Sequence, residues 1–304
     1  MNRLSRFVHH QGKLLLENKR LAILHAVILA LLPYTAWLSV SIVALVTLRK
    51  GWRNGGLLLA YAMLANFTLS LTSVPLVIAL TNALLVFMPC YIGACVLRLT
   101  VSWRAVVGAF FIQVLCTMLI LQVFMPEFIM AQFLYFQSVL REIQGDGTLF
   151  TLLNDNSNLN QMVLASYLLG LQAMGVIFSA CISLLMARSV QSTLFYPGEF
   201  KREMLAFRGD KLGLLLLVMM FVASYQQNVI AMCLLPVLVF YFFLAGLSLS
   251  FNVLAKQRPL SSLVLLLVSL VLLPFVMIPV YVIFGSLDSL FNFRSYLLTD
   301  VSKT

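Results

Sequence analysis

The chain has 304 residues, 62% of them hydrophobic and 10% charged, with a formal net charge of +10. A soluble globular domain averages about 25% charged residues, so a large water-soluble core is excluded. The basic residues are scattered over short segments rather than blocked together with aromatics, which excludes a nucleic-acid surface.

The 20 basic and 10 acidic residues fall between charge-free runs at 21–48, 54–97, 105–126, 156–187, 212–255 and 259–287. An ionised side chain is costly at the bilayer centre, and about 20 apolar residues cross the hydrocarbon as a helix. Continuous apolar runs are helices, not the alternating strands of a membrane barrel. The expected fold is therefore an all-α polytopic bundle, a single transmembrane domain over residues 1–304.

The N-terminal segment 1–20 carries +4 and is followed by the run 21–48, which is read as a hairpin turning near Pro33 and Tyr34. The hairpin places 1–20 and the +3 segment 49–53 on one face, with the other basic segments, as the positive-inside rule asks. The alternative is one long span. The apolar stretch exceeds a signal-peptide core, so the first helix is read as retained. Runs 54–97 and 212–255 each hold two spans, with turns near Ser70–Pro75 and Tyr225–Asn228. The resulting map has about nine helices: 15–32, 35–50, 54–70, 75–97, 104–125, 161–187, 212–225, 229–254 and 260–284. Eight is the alternative. The N-terminus is expected in the cytoplasm and the C-terminus outside.

Two loops stand out. Segment 127–158, acidic and outside, has Ile129, Phe133, Phe136, Leu140 and Ile143 at helical spacing, which predicts an amphipathic helix at the interface. Segment 189–211, inside, has the turn Tyr196-Pro197-Gly198 before a short amphipathic helix with Phe200, Met204 and Phe207 on one face. That face is a candidate partner interface. Ala22, Ala26 and Ala30 form a smooth strip on the first helix, suited to close helix packing, inside the bundle or against a partner subunit. Asn66, Asn82, Gln113 and Gln172 are polar residues within spans and candidate ligand-binding groups if they converge. Gly285 is expected to end the last span, Asp288 to cap a short helix beyond it, and Arg294 to reach phosphates or Asp288. The five cysteines are read as small buried hydrophobes. No metal-ligand set, phosphate-binding loop or nucleophile–base pair is legible, so neither catalytic residue nor cofactor nor metal is expected.

The stretches Tyr241-Phe242-Phe243-Leu244-Ala245-Gly246, Lys256-Gln257-Arg258 and Gly285 to Arg294, with the Tyr196-Pro197-Gly198-Glu199-Phe200 turn and the basic turn Leu48 to Arg53, resemble the YybS-like family of bacterial membrane proteins. That family is distantly similar to substrate-binding S components of energy-coupling-factor transporters and to the rod-shape protein MreD. In S components an Ala-x-x-x-Ala first helix docks on a coupling subunit, a pattern that Ala22, Ala26 and Ala30 match. The resemblance implies a non-enzymatic inner-membrane subunit that binds a small or lipid-like ligand. The alternative it implies is a scaffold of an envelope complex. The lipid bilayer and a membrane-protein subunit are the expected partners.

Overall fold

The computed structural model describes residues 11–32, 34–72, 76–124, 133–134, 137–138, 158–254, 259–291 and 293. Among these residues the secondary structure is helical, with no strand. After a helical segment at 11–17 come α1 (Lys19–Leu31), α2 (Ala36–Lys50), α3 (Trp52–Ser70), α4 (Leu76–Thr100), α5 (Trp103–Phe124) and α6 (Asn158–Phe195). They are followed by α7 (Glu199–Ala206), α8 (Lys211–Tyr225), α9 (Val229–Leu254), α10 (Pro259–Leu272) and α11 (Pro274–Phe291). Among the described residues five stretches are long and apolar enough to cross a membrane: Ile78–Thr100, Trp103–Leu121, Leu164–Phe195, Val229–Leu254 and Pro274–Phe291. The chain is thus a multi-pass helical membrane protein.

The chain divides into two compact units rather than one. Unit 1 is 1–110 with 175–207, and unit 2 is 111–174 with 208–304.

In unit 1 the run 21–48 is two helices, broken at residues 32–35, where Thr35 Oγ1 donates to the Leu29 carbonyl at 2.7 Å. At 1.5 Å per residue, the 13 residues of α1 span about 20 Å. Ala22, Ala26 and Ala30 are almost fully buried, and α1 packs on α2 and α3. Ser39 Oγ donates to the Ala26 carbonyl at 2.7 Å, so the backbones lie close enough for a side chain to reach across. The alanine strip packs inside unit 1. Gly51, at φ +100°, makes the turn from α2 to α3, a conformation that favours glycine. Gly55 then sits against Thr47, where a methyl group would overlap the threonine side chain.

Unit 2 is organised by α9 crossing α11. Gly246 faces the Tyr281 carbonyl, and Gly285 faces the Phe242 carbonyl, each too close to admit a Cβ. Gly285 therefore does not terminate the last helix. It lies inside α11 because its missing side chain lets two backbones touch. Asn228 caps α9 by accepting from the Ile230 and Ala231 amides at 3.1 and 3.3 Å.

Two further features depart from the sequence reading. The span 260–284 is two helices, because Pro274 has no N–H to continue the ladder past Leu273. Ser269 Oγ and Tyr281 Oη lie 3.2 Å apart, although twelve helical residues would separate them by about 18 Å, so the chain bends sharply there. Helix α6 continues through Arg188 to Phe195, so 189–195 is helix rather than loop. The expected amphipathic helix in 127–158 falls almost entirely outside the described residues.

The glycine contacts give opposite expectations in one measurement. Gly246→Ala should lower the melting temperature of the detergent-purified protein, at a cost of roughly 1–3 kcal/mol from overpacking. Gly108→Ala and Gly175→Ala, where an added Cβ meets nothing within 4 Å, should be neutral or gain up to about 1 kcal/mol of helix propensity.

Candidate functional site

The polar chemistry of unit 1 gathers at one end, where the basic segments meet. Arg98 Nη1 donates to the Thr47 carbonyl at 2.9 Å, joining the end of α4 to the last turn of α2. Tyr91 Oη donates to the Trp52 carbonyl at 2.9 Å, and the Arg49 guanidinium lies 3.9 Å over the Phe195 ring. These contacts bring the ends of α2, α4 and α6 and the start of α3 together.

The centre of this end is a buried ion pair. The Tyr196-Pro197-Gly198 turn reverses the chain after α6, with Gly198 at φ +92°. Ser192 Oγ donates to the Tyr196 carbonyl at 2.9 Å and accepts from the Phe200 amide at 3.3 Å, pinning the reversal. Helix α7 thereby returns Glu203 to Arg188. Arg188 Nε donates to Glu203 Oε2 at 3.1 Å, and Nη2 reaches Oε1. Trp103 Nε1, from the first turn of α5, donates to Glu203 Oε2 at 3.0 Å. Gln191 Oε1 accepts from Arg188 Nη1 at 2.8 Å, and Glu199 lies 3.8 Å from Nη2. The Arg188 side chain is 9% exposed and that of Glu203 15%. Burying two charges is compensated only when both are paired and hydrogen-bonded, and here both are. The carboxylate with three donors clamps α5, α6 and α7 together.

Elsewhere in unit 1, α1, α2 and α3, with Leu15 from the segment before α1, line a pocket of about 40 Å³. Leu15, Ala22, Ile23, Val46, Leu57 and Leu58 form its apolar walls, with Lys19, Lys50 and Asn54 at its edge. Both lysines are exposed and have no ion-pair partner among the described residues. Asn54 Nδ2 donates to the Lys50 carbonyl at 3.3 Å.

The sequence-expected site residues are dispersed. In unit 1, Asn66 donates to the Ala30 carbonyl at 3.4 Å, and Asn82 is exposed. In unit 2, Gln172 is exposed, and Gln113 Nε2 is enclosed without a hydrogen-bond partner among the described residues. Phe200, Met204 and Phe207 are half-buried. Asp288 is fully buried in the last turn of α11 and caps no new helix. Arg208 supplies the terminal contacts there, donating from Nε to the Asp288 carbonyl at 2.8 Å and from Nη2 to the Ser289 carbonyl at 3.0 Å. Arg294 lies outside the described residues. The signal for the Arg188–Glu203 pair was present: an arginine at the edge of an apolar run, a Pro-Gly turn, then glutamates four residues apart.

Breaking one half of the pair should be costly, and removing both much less so. Arg188→Met alone should cost about 3–5 kcal/mol by stranding a buried carboxylate, and Arg188→Met with Glu203→Leu should recover most of it. Trp103→Phe should cost about 1 kcal/mol. Melting curves arranged as a double-mutant cycle measure the coupling directly.

A scan against protein-family models gives no match for this chain, and neither the curated proteins nor the solved structures searched include a match.

Proposed function

We propose that the chain is a non-enzymatic, multi-pass subunit of a bacterial cytoplasmic membrane that binds a small or lipid-like ligand, in the manner of a transporter component. The observation that carries this reading is the α1–α2–α3 pocket, whose walls are apolar and whose edge holds two free cations and an amide. A pocket of that make-up suits a molecule with an apolar body and an anionic or strongly polar end. The resemblance to the YybS-like family supports the same class. The protein is proposed to lie with the Arg188 end of unit 1 in the cytoplasm, since its exposed surface carries Lys19, Arg20, Arg49, Lys50, Arg53, Arg98 and Arg104.

A second reading, a scaffold for an envelope complex, is favoured by α7. The buried ion pair fixes this helix while leaving Lys201 and Arg202 exposed beside the half-buried Phe200 and Met204. That is a rigid amphipathic platform for a cytoplasmic or membrane-protein partner.

Native mass spectrometry of the gently solubilised protein separates the two. A bound small molecule or lipid at fixed stoichiometry is the expected result. A stoichiometric protein subunit with no such ligand would favour the scaffold. Sidedness has its own check with membrane-impermeant maleimide in a cysteine-free background. Arg53→Cys, Ser102→Cys and Lys201→Cys should label from one side only, and Tyr34→Cys from the other.

A further inference from the structure

We propose that the lysine-bearing edge of the pocket between α1, α2 and α3 binds the phosphate of an anionic glycerophospholipid taken from the surrounding leaflet. This rests on the ligand-binding reading above and names its ligand.

Three features of unit 1 specify the chemistry. First, Lys19 and Lys50 edge one pocket from two different helices, and neither has a counter-charge among the described residues. Two ammonium groups at the edge of one cleft repel each other, and a shared anion relieves that repulsion. Lysine binds phosphate as a point charge without needing the planar fork of arginine. Asn54 adds an amide beside them. Second, the pocket is apolar-walled and holds only about 40 Å³, so it takes the start of an apolar body beneath a headgroup held at its edge, and the rest of the ligand must lie outside on an apolar surface. Third, that surface is present. Leu57 lines the pocket, and Tyr61 and Leu64 continue its row along α3 at helical spacing. All three are exposed, at 39%, 48% and 60%. On α1, Ile23 lines the pocket and Val27 and Leu31 follow it at four-residue intervals. These rows lead away from the charged end, as acyl chains lead away from a headgroup. A soluble phosphate ester would use the lysines and leave the rows idle.

The test uses the full-length protein in a neutral detergent. Phosphatidylglycerol should raise the melting temperature saturably, and phosphatidylcholine should not. In Lys19→Gln/Lys50→Gln the apparent affinity for phosphatidylglycerol should fall at least about tenfold, the loss of one charge-assisted contact or more. Lys201→Gln/Arg202→Gln removes the same charge from the same end and should leave the affinity within about twofold. Equal losses in both variants would show diffuse charge attraction and overturn the site. Equal stabilisation by the two lipids would also overturn it. Inorganic phosphate reproducing the saturable shift would assign a free anion instead. Should the lysine variant fail to fold, a photoactivatable phosphatidylglycerol on the wild-type protein decides: crosslinks within 15–31 and 46–64 support the site, and crosslinks only elsewhere overturn it. A different small molecule in native mass spectra, with no phosphatidylglycerol response, removes this assignment and keeps the broader reading. Spectra with neither remove both.

Discussion

A charged group inside a membrane protein must either reach water or bring its counter-charge with it. Unit 1 meets that constraint twice at the same end. Its exposed cations ring the helix termini, and its one described buried cation, Arg188, is matched by Glu203, with a further hydrogen bond from Trp103 to Glu203 and one from Arg188 to Gln191. The pair sets more than charge balance. It lets α6 carry an arginine within a continuous 38-residue helix, and it makes the following turn fold α7 back onto α5 and α6.

Unit 2 solves a different problem. Apolar helices gain little from hydrophobic burial against each other in lipid, so backbone proximity and hydrogen bonding must hold them. Gly246 and Gly285 supply the proximity. Tyr241 Oη accepts from the Asp210 amide at 2.9 Å and Arg208 bonds the final carbonyls of α11, which fastens the 208–210 segment over the crossing. Tyr167 and Ser224 hydroxyls, 2.8 Å apart, tie α6 to α8 within the same unit. Unit 1 thus adds a buried ion pair to close helix packing, whereas unit 2 is held by close backbones and hydrogen bonds.

The helical class was legible because hydropathy is summed over many residues and single exceptions do not alter it. Breaks that use turn-forming residues were legible too: residues 32–35 and Tyr225–Asn228 separate helices where the sequence places turns. Hydropathy is blind to a bend between two equally apolar segments, so the Leu273–Pro274 break within 259–287 went unread. It also treats every charge as a boundary, which cut α6 short at Arg188. Gly285 illustrates a deeper ambiguity. A glycine near the end of an apolar run is equally suited to stopping a helix and to admitting a neighbour, and only the neighbour, Gly246, decides between them. The polar residues chosen as site candidates were picked by being rare within spans. The site that emerged is made by residues at span edges, fifteen positions apart in Arg188 and Glu203 and further still in Trp103.

The shortness of the first two helices bears on how the protein is made. At 13 and 15 residues, α1 and α2 come before α3 and α4 in the chain, and each is shorter than the hydrocarbon is thick. Their mutual bond through Ser39 and Ala26 forms within the pair, but the contacts that bury their remaining faces come from α3 and α4, synthesised later. During that interval the hairpin sits in the bilayer with its alanine face half uncovered and its lysines close to the headgroups. A chain ending before Thr100 would lack the full set of helices that cover this pair.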